Sequence, residues 1–204
     1  MTDPQRQSDR PSPIRPGDLL RHARRAVARN PALVFSGHAP SADEIAAVLA
    51  GLPSPSEADH RRAVSAAYYA VFHAVTLEAA RFLVDRSGGF RRHRAARRFE
   101  HRDIRLVALW ASGAGTPPPR LASAVADLRR DEEVRRVAED LGFLSGARRA
   151  ADYDHFAQFT EARALGAIRV ASRAVGTIEG GSFHTTEGGG TFLQLVADQA
   201  RTRP

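Results

Sequence analysis

The sequence predicts an all-α protein, on three observations. No segment alternates apolar and polar residues with the period of two that a half-buried strand requires. Proline is absent from residues 56–116 and from 120–203, leaving two long windows free of the residue that breaks helices. Within those windows apolar side chains recur at i, i+3, i+4 and i+7, the stripe of an amphipathic helix. The architecture expected is an antiparallel helical bundle with two long central helices and extra short helices at both ends. It forms a single domain over residues 18–204, with its core at about 56–178.

Residues 1–17 carry prolines at 4, 11, 13 and 16 and no apolar periodicity, a composition that reads as a disordered tail. Asp18 is placed to cap a short helix over 19–29, and Ser41 with Glu44 three residues on has the capping-box pattern for a second. Ser56 opens a helix of about 30 residues, ~45 Å long, with Val64, Tyr68, Val75 and Phe82 along one stripe. Ala63, Ala66, Ala67, Ala70 and Ala74 make a smooth flank for a neighbour, and Gly88-Gly89 ends the run. The densely basic segment 90–105 leads into a helix through Leu106, Val107, Leu109 and Trp110. After the Gly/Pro linker 113–119, Leu121, Val125 and Leu128 resume the pattern, which Val134, Val137, Leu141 and Leu144 continue. Asp131 and Glu132 stand four residues before Arg135 and Arg136, the favoured acid-before-base order. Thr160 caps a helix with Leu165, Ile168, Val175 and Ile178 on its core face. Gly180-Gly181 and Gly188-Gly189-Gly190 flank a flexible turn before a terminal helix built on Phe192, Leu193 and Val196.

Composition narrows the function classes. No apolar run approaches the ~18 residues of a membrane span, and the first residues lack the hydrophobic segment of a secretory signal. The location expected is therefore the cytoplasm, with no membrane partner. There is no cysteine for a disulfide or thiolate site, and the eight histidines are scattered, so neither metal nor cofactor is expected. The net charge of +7 invites a nucleic-acid partner. All 30 basic residues are Arg, however, which with abundant Ala also fits the codon bias of a GC-rich genome. Arg97, Arg98, His101 and Arg102 lie in the basic segment as candidate RNA contacts.

The densest chemistry lies in Gly146-Ala-Arg-Arg-Ala-Ala-Asp-Tyr-Asp-His155. As a helix, it puts Arg148, Asp152 and His155 on one stripe and Arg149 and Tyr153 on the next. Earlier in the chain, one of Tyr68 and Tyr69 reads as a core residue with a capped hydroxyl, His73 as a buried or half-buried imidazole, and Arg61 and Arg62 as partners of acids such as Asp59.

The run Arg62-Ala-Val-Ser-Ala-Ala-Tyr-Tyr-Ala-Val-Phe-His73, followed about 75 residues later by Arg-Arg-Ala-Ala-Asp-Tyr-Asp, resembles the HEPN family of small all-α proteins. The resemblance covers roughly residues 56–178. It implies a dimeric bundle of four or five helices. Many members are metal-independent endoribonucleases, often toxins beside a nucleotidyltransferase-type antitoxin, and others act in phage defence. The family's catalytic pattern is an Arg, four to six residues, then a His. Arg148 reaches His155 with six between, Arg149 with five, and the Ala-Asp-Tyr-Asp run favours Arg148. The 2′-hydroxyl of RNA is the nucleophile, so a His would transfer the proton and an Arg would hold the phosphorane charge. A dimer seam would supply two copies of each. Asp152 would set the His tautomer or orient Arg148, and Tyr153 would stack a base or bond a phosphate. One departure stands out: active members commonly space the pair by four, which puts Tyr153 where they carry His. The alternative expectation is thus a non-catalytic HEPN bundle binding a nucleotide, RNA or a partner protein such as a nucleotidyltransferase.

Overall fold

The computed structural model describes residues 16–27, 55–84 and 89–202. Among these residues the protein is a helical bundle without strands, in eight α-helices: α1 Pro16–Val27, α2 Glu57–Ala79, α3 Gly89–Ala96, α4 His101–Ala111, α5 Ala122–Arg130, α6 Glu132–Tyr153, α7 Glu161–Glu179 and α8 Glu187–Arg201. The helix expected after Ser41 and the tail 1–15 lie outside the described residues.

α2 is the hub. It packs against α1, α6 and α7 and also meets α3, α4 and α8. Its alanines explain how so many helices reach it: Ala63, Ala67, Ala70 and Ala74 are all buried, and a methyl side chain lets a neighbouring backbone approach closely. Val64, Val71 and Val75 fill the gaps at full burial, each stabilising the fold by ~1.5–3 kcal/mol relative to exposure. The hydroxyl of Ser56 caps the helix, and Asp59 returns a bond to the Ser56 amide at 2.9 Å. The terminal helices are part of the same core, since Leu20 of α1 and Phe192, Leu193 and Val196 of α8 join it.

Several boundaries differ from the sequence reading, each for a local reason. α1 begins at Pro16, whose ring suits a first turn, and Asp18 pairs with Arg21 inside the helix. α2 tightens into a 3-10 turn at Ala80–Phe82 instead of running to residue 86. Glu78 near its end is buried and gathers Arg81, Arg92 and His184, so a buried charge draws three chain segments together at that point. The basic segment divides into α3 and α4, because Asp103 accepts from the Glu100 amide at 2.8 Å and starts a new helix at His101. Asp131 does not pair with Arg135; its carboxylate caps α6 through the amides of Glu133 and Val134, while Glu132 does bind Arg136 at 2.5 Å. Leu165 is exposed, while Ile168, Val175 and Ile178 are buried as expected and Ala164, Ala167 and Ala171 complete the α7 core face. The glycines at 188–190 form the first turn of α8, where a Cβ on Gly189 would strike the Phe183 carbonyl. α6 runs unbroken through Gly142 and Gly146.

The end of α6 is set by α2. The last turn of α6 holds no basic residue of its own. Arg61 of α2 reaches across and donates from Nη1 to the carbonyls of Ala151 and Asp154, both at 3.0 Å, and from Nη2 to that of Ala157. Its Nε bonds Glu57 at 3.0 Å, and its guanidinium lies over the Phe159 ring. The neighbouring His60 bonds the Phe159 carbonyl at 3.0 Å. Arg62, by contrast, makes only the exposed pair with Asp59 among the described residues. On the other flank, buried Asp140 of α6 takes a two-pronged contact from Arg173 of α7.

Arg61→Ala leaves helix-end carbonyls without their charged donor and is expected to cost roughly 2–3 kcal/mol. That is several degrees of melting temperature for a domain of this size. Thermal denaturation should show that loss for Arg61→Ala and almost none for Arg62→Ala; equal effects would contradict the capping role.

Candidate functional site

Two stretches that the sequence reading singled out meet across the α2–α6 seam. Ser65, Tyr69 and Phe72 follow one another at i, i+4 and i+7 along α2, with Tyr68 beside them. Arg148 and Asp152 stand one turn apart on α6. Asp152 receives the Ser65 hydroxyl at 2.6 Å on one oxygen and lies 2.7 Å from Arg148 Nε on the other. The Nε contact is held by charge more than by alignment, since that N–H does not point along a hydrogen-bond axis. Arg148 Nη2 donates to the Tyr69 hydroxyl at 3.2 Å. The guanidinium carbon lies 5.5 Å from the centre of the Tyr69 ring and 5.9 Å from those of Tyr68 and Tyr153, within cation–π range.

His101 enters from a third helix. As the first residue of α4 it packs on Phe72 with ring centres 4.4 Å apart, and on Tyr68 and Tyr69 at 5.4 and 5.6 Å. Its Nδ1 is 2.8 Å from the Tyr68 hydroxyl. Tyr68 is buried, and burial pushes its pKa up to about 12, so the phenol keeps its proton. That proton has His101 Nδ1 as its acceptor within reach, which places the imidazole hydrogen on Nε2. Burial, and then the Arg148 charge, lower the pKa of His101, and burial with His101 lowers that of His73. Both imidazoles are therefore neutral near pH 7. Burial works against the Arg148 charge, but Tyr69, Asp152 and the other two tyrosines outweigh it and raise the pKa.

His155 does not join Arg148 and Asp152 on one stripe. α6 stops at Tyr153, and Asp154 leaves the helix in extended conformation. Its carboxylate then accepts from the amides of Phe156 and Ala157 at 2.9 and 3.1 Å, turning the chain so that His155 stands exposed beyond the helix. There His155 shares an open surface depression with Gly146, Arg149, Ala150, Tyr153 and Phe156. The end of α6 thus has two faces. Arg148 and Asp152 look inward to the tyrosines, while Arg149 and His155 look outward, and the exposed Tyr153 ring borders both. Arg97 and Arg98 lie exposed in the turn after α3, and Arg102 is exposed on α4, next to His101 but outside its aromatic cage.

Ser65 and Tyr69 were not among the site residues expected from sequence, although both lie within the run that carries the family resemblance. Their spacing four apart was visible; the Arg148–Asp152 pair that gives it meaning lies about 80 residues on. Among the described residues, no group of three or more His, Asp and Glu gathers as metal ligands, and no helix is long and apolar enough to cross a membrane. Comparison with known proteins finds no match for this chain among protein families, curated proteins or solved structures.

The His101 resonances should titrate below the ordinary imidazole value of about 6.5 in a heteronuclear NMR titration. Arg148→Met should move that midpoint part of the way back up. The unfolded chain binds the proton first as the solution is acidified, so stability falls below about pH 6.5 and keeps falling toward the native value. A midpoint at or above 6.5 would contradict the half-buried, cation-flanked placement.

Proposed function

We propose that this chain is an HEPN-type RNA-binding protein that acts as a metal-independent endoribonuclease. The observation that carries the proposal is the fixed guanidinium of Arg148, held by Asp152 and Tyr69 and sharing the tyrosine pair with a neutral imidazole. A guanidinium fixed in this way is prepared to meet negative charge that develops on phosphate oxygens. A neutral imidazole can take a proton from a 2′-hydroxyl. In this reading the exposed Arg102, Arg105 and Arg149 receive the flanking backbone, and Tyr153 stacks or bonds the strand. His155 on the outer face is the proton-transfer residue that the family pattern implies, and His101 is the one that the inner cluster offers.

The proposal includes a homodimer, an antiparallel arrangement of the central helices and action in the cytoplasm. Phe143, Tyr153 and Phe156, all exposed on or just beyond α6, supply the apolar surface that a second copy would cover. In that dimer the outer faces of both α6 helices would meet, bringing two sets of Arg149 and His155 together. The biological setting that fits is a toxin paired with a nucleotidyltransferase-type antitoxin, or a phage-defence component.

A second reading has its own observation. Asp152 already balances the charge of Arg148, and Ser65 closes the other carboxylate oxygen. Such a network can serve as an internal lock in a non-catalytic bundle that binds RNA, a nucleotide or a nucleotidyltransferase.

The experiment is cleavage of single-stranded RNA in the presence of chelator, with the ends analysed for cyclic phosphate. The enzyme reading expects cleavage that Arg148→Ala abolishes. His155→Ala and His101→Ala, tested separately, report which imidazole carries the proton. The lock reading expects no cleavage, with Asp152→Ala lowering stability by ~1–3 kcal/mol through stranded polar partners. Full activity in folded Arg148→Ala protein would end the enzymatic assignment.

A further inference from the structure

A cleft of about 130 Å³ opens between α4 and α6, beside the Arg148 cluster but separate from it. Its walls are the buried side chains of Ile104, Ala108, Ala138 and Leu141, with Leu109 at the edge, and the Tyr68 ring contributes to its lining. Besides Tyr68, two hydroxyl side chains, Ser112 and Ser145, line it. Arg105 from α4 and Arg149 from α6 line it as well, and both are exposed. The tyrosine whose hydroxyl holds His101 therefore also lines the cleft, tying it to the candidate site through one side chain.

Size and chemistry together select the occupant. An apolar cavity of roughly 150 Å³ takes up a benzene molecule, and a cleft of about 130 Å³ is of that single-ring scale. An apolar slot bounded by an aromatic ring suits a flat heterocycle, and two hydroxyls can meet its polar edge. Two exposed guanidiniums suit the phosphates on either side of such a ring. We propose that the cleft between α4 and α6 receives one pyrimidine base of single-stranded RNA, with the adjoining phosphates on Arg105 and Arg149. The inference rests on the RNA-binding reading and adds base selectivity to it: one unstacked pyrimidine seats its whole ring beside Arg148, whereas a purine leaves part of its bicycle outside.

The test is fluorescence anisotropy with labelled 2′-O-methyl oligouridylate and oligoadenylate, which lack the attacking hydroxyl and so report binding alone. The wild-type protein is expected to bind oligouridylate about tenfold more tightly. Ser145→Leu, which fills the cleft, is expected to abolish the preference while leaving salt-dependent binding of both oligomers. Leu109→Trp blocks the cleft from the α4 side and serves the same purpose should Ser145→Leu fail to fold. Arg105→Ala with Arg149→Ala should weaken both oligomers and flatten the salt dependence. Equal affinity for the two wild-type complexes overturns the cleft assignment and leaves RNA binding intact. A preference that survives in the folded cleft-filling variants also overturns it. Failure to bind either oligomer overturns the RNA reading together with the cleft.

Discussion

The guanidinium of Arg61 occupies the C-terminal end of α6, where a helix leaves its last carbonyls without intrahelical donors. It bonds the carbonyls of Ala151, Asp154 and Ala157 while its own charge is shared with Glu57 and the Phe159 ring. A cation is favoured at that end of the helix dipole, and here it comes from α2 instead of from α6 itself. Where α6 stops decides everything downstream. Arg148 and Asp152 stay within the last full turns and face α2, whereas His155 and Phe156 are turned outward by the Asp154 loop that the same guanidinium holds.

Stability and the proposed chemistry share groups along this seam. Asp152 both accepts from Ser65 of α2 and neutralises Arg148, so removing it unties two helices and releases a cation in one step. Tyr68 is likewise divided between a buried ring in the core and a hydroxyl that fixes the His101 tautomer. Loss of activity on mutating these residues therefore has meaning only beside a stability measurement on the same variant. The outward residues Arg149 and His155 carry no such double duty, and their substitution tests chemistry more cleanly.

The all-α architecture and the caps of α2 and α7 were legible because they are local. Ser56 and Thr160 declare their caps within four residues, and the alanines of α2 announce a crowded helix. The end of α6, by contrast, depends on a partner far along the chain. The sequence spacing suggested one stripe for Arg148, Asp152 and His155, and it had no means of anticipating a cap from Arg61 about 90 residues earlier. His101 read only as one more candidate RNA contact within a basic run, because the tyrosines and the phenylalanine that enclose it lie on another helix. The splitting of α3 from α4 by Asp103 was present in the residues, but the charge density around it drew attention to the arginines instead.

The central claim is that RNA meets this protein where the end of α6 joins α2 and the start of α4. Photo-crosslinking of single-stranded RNA to the intact protein, with adducts mapped by mass spectrometry, tests it most directly. The account predicts adducts in residues 65–73, 97–105 and 146–156. Adducts confined to α7 and α8, or none above the level of an unrelated basic protein, would contradict it.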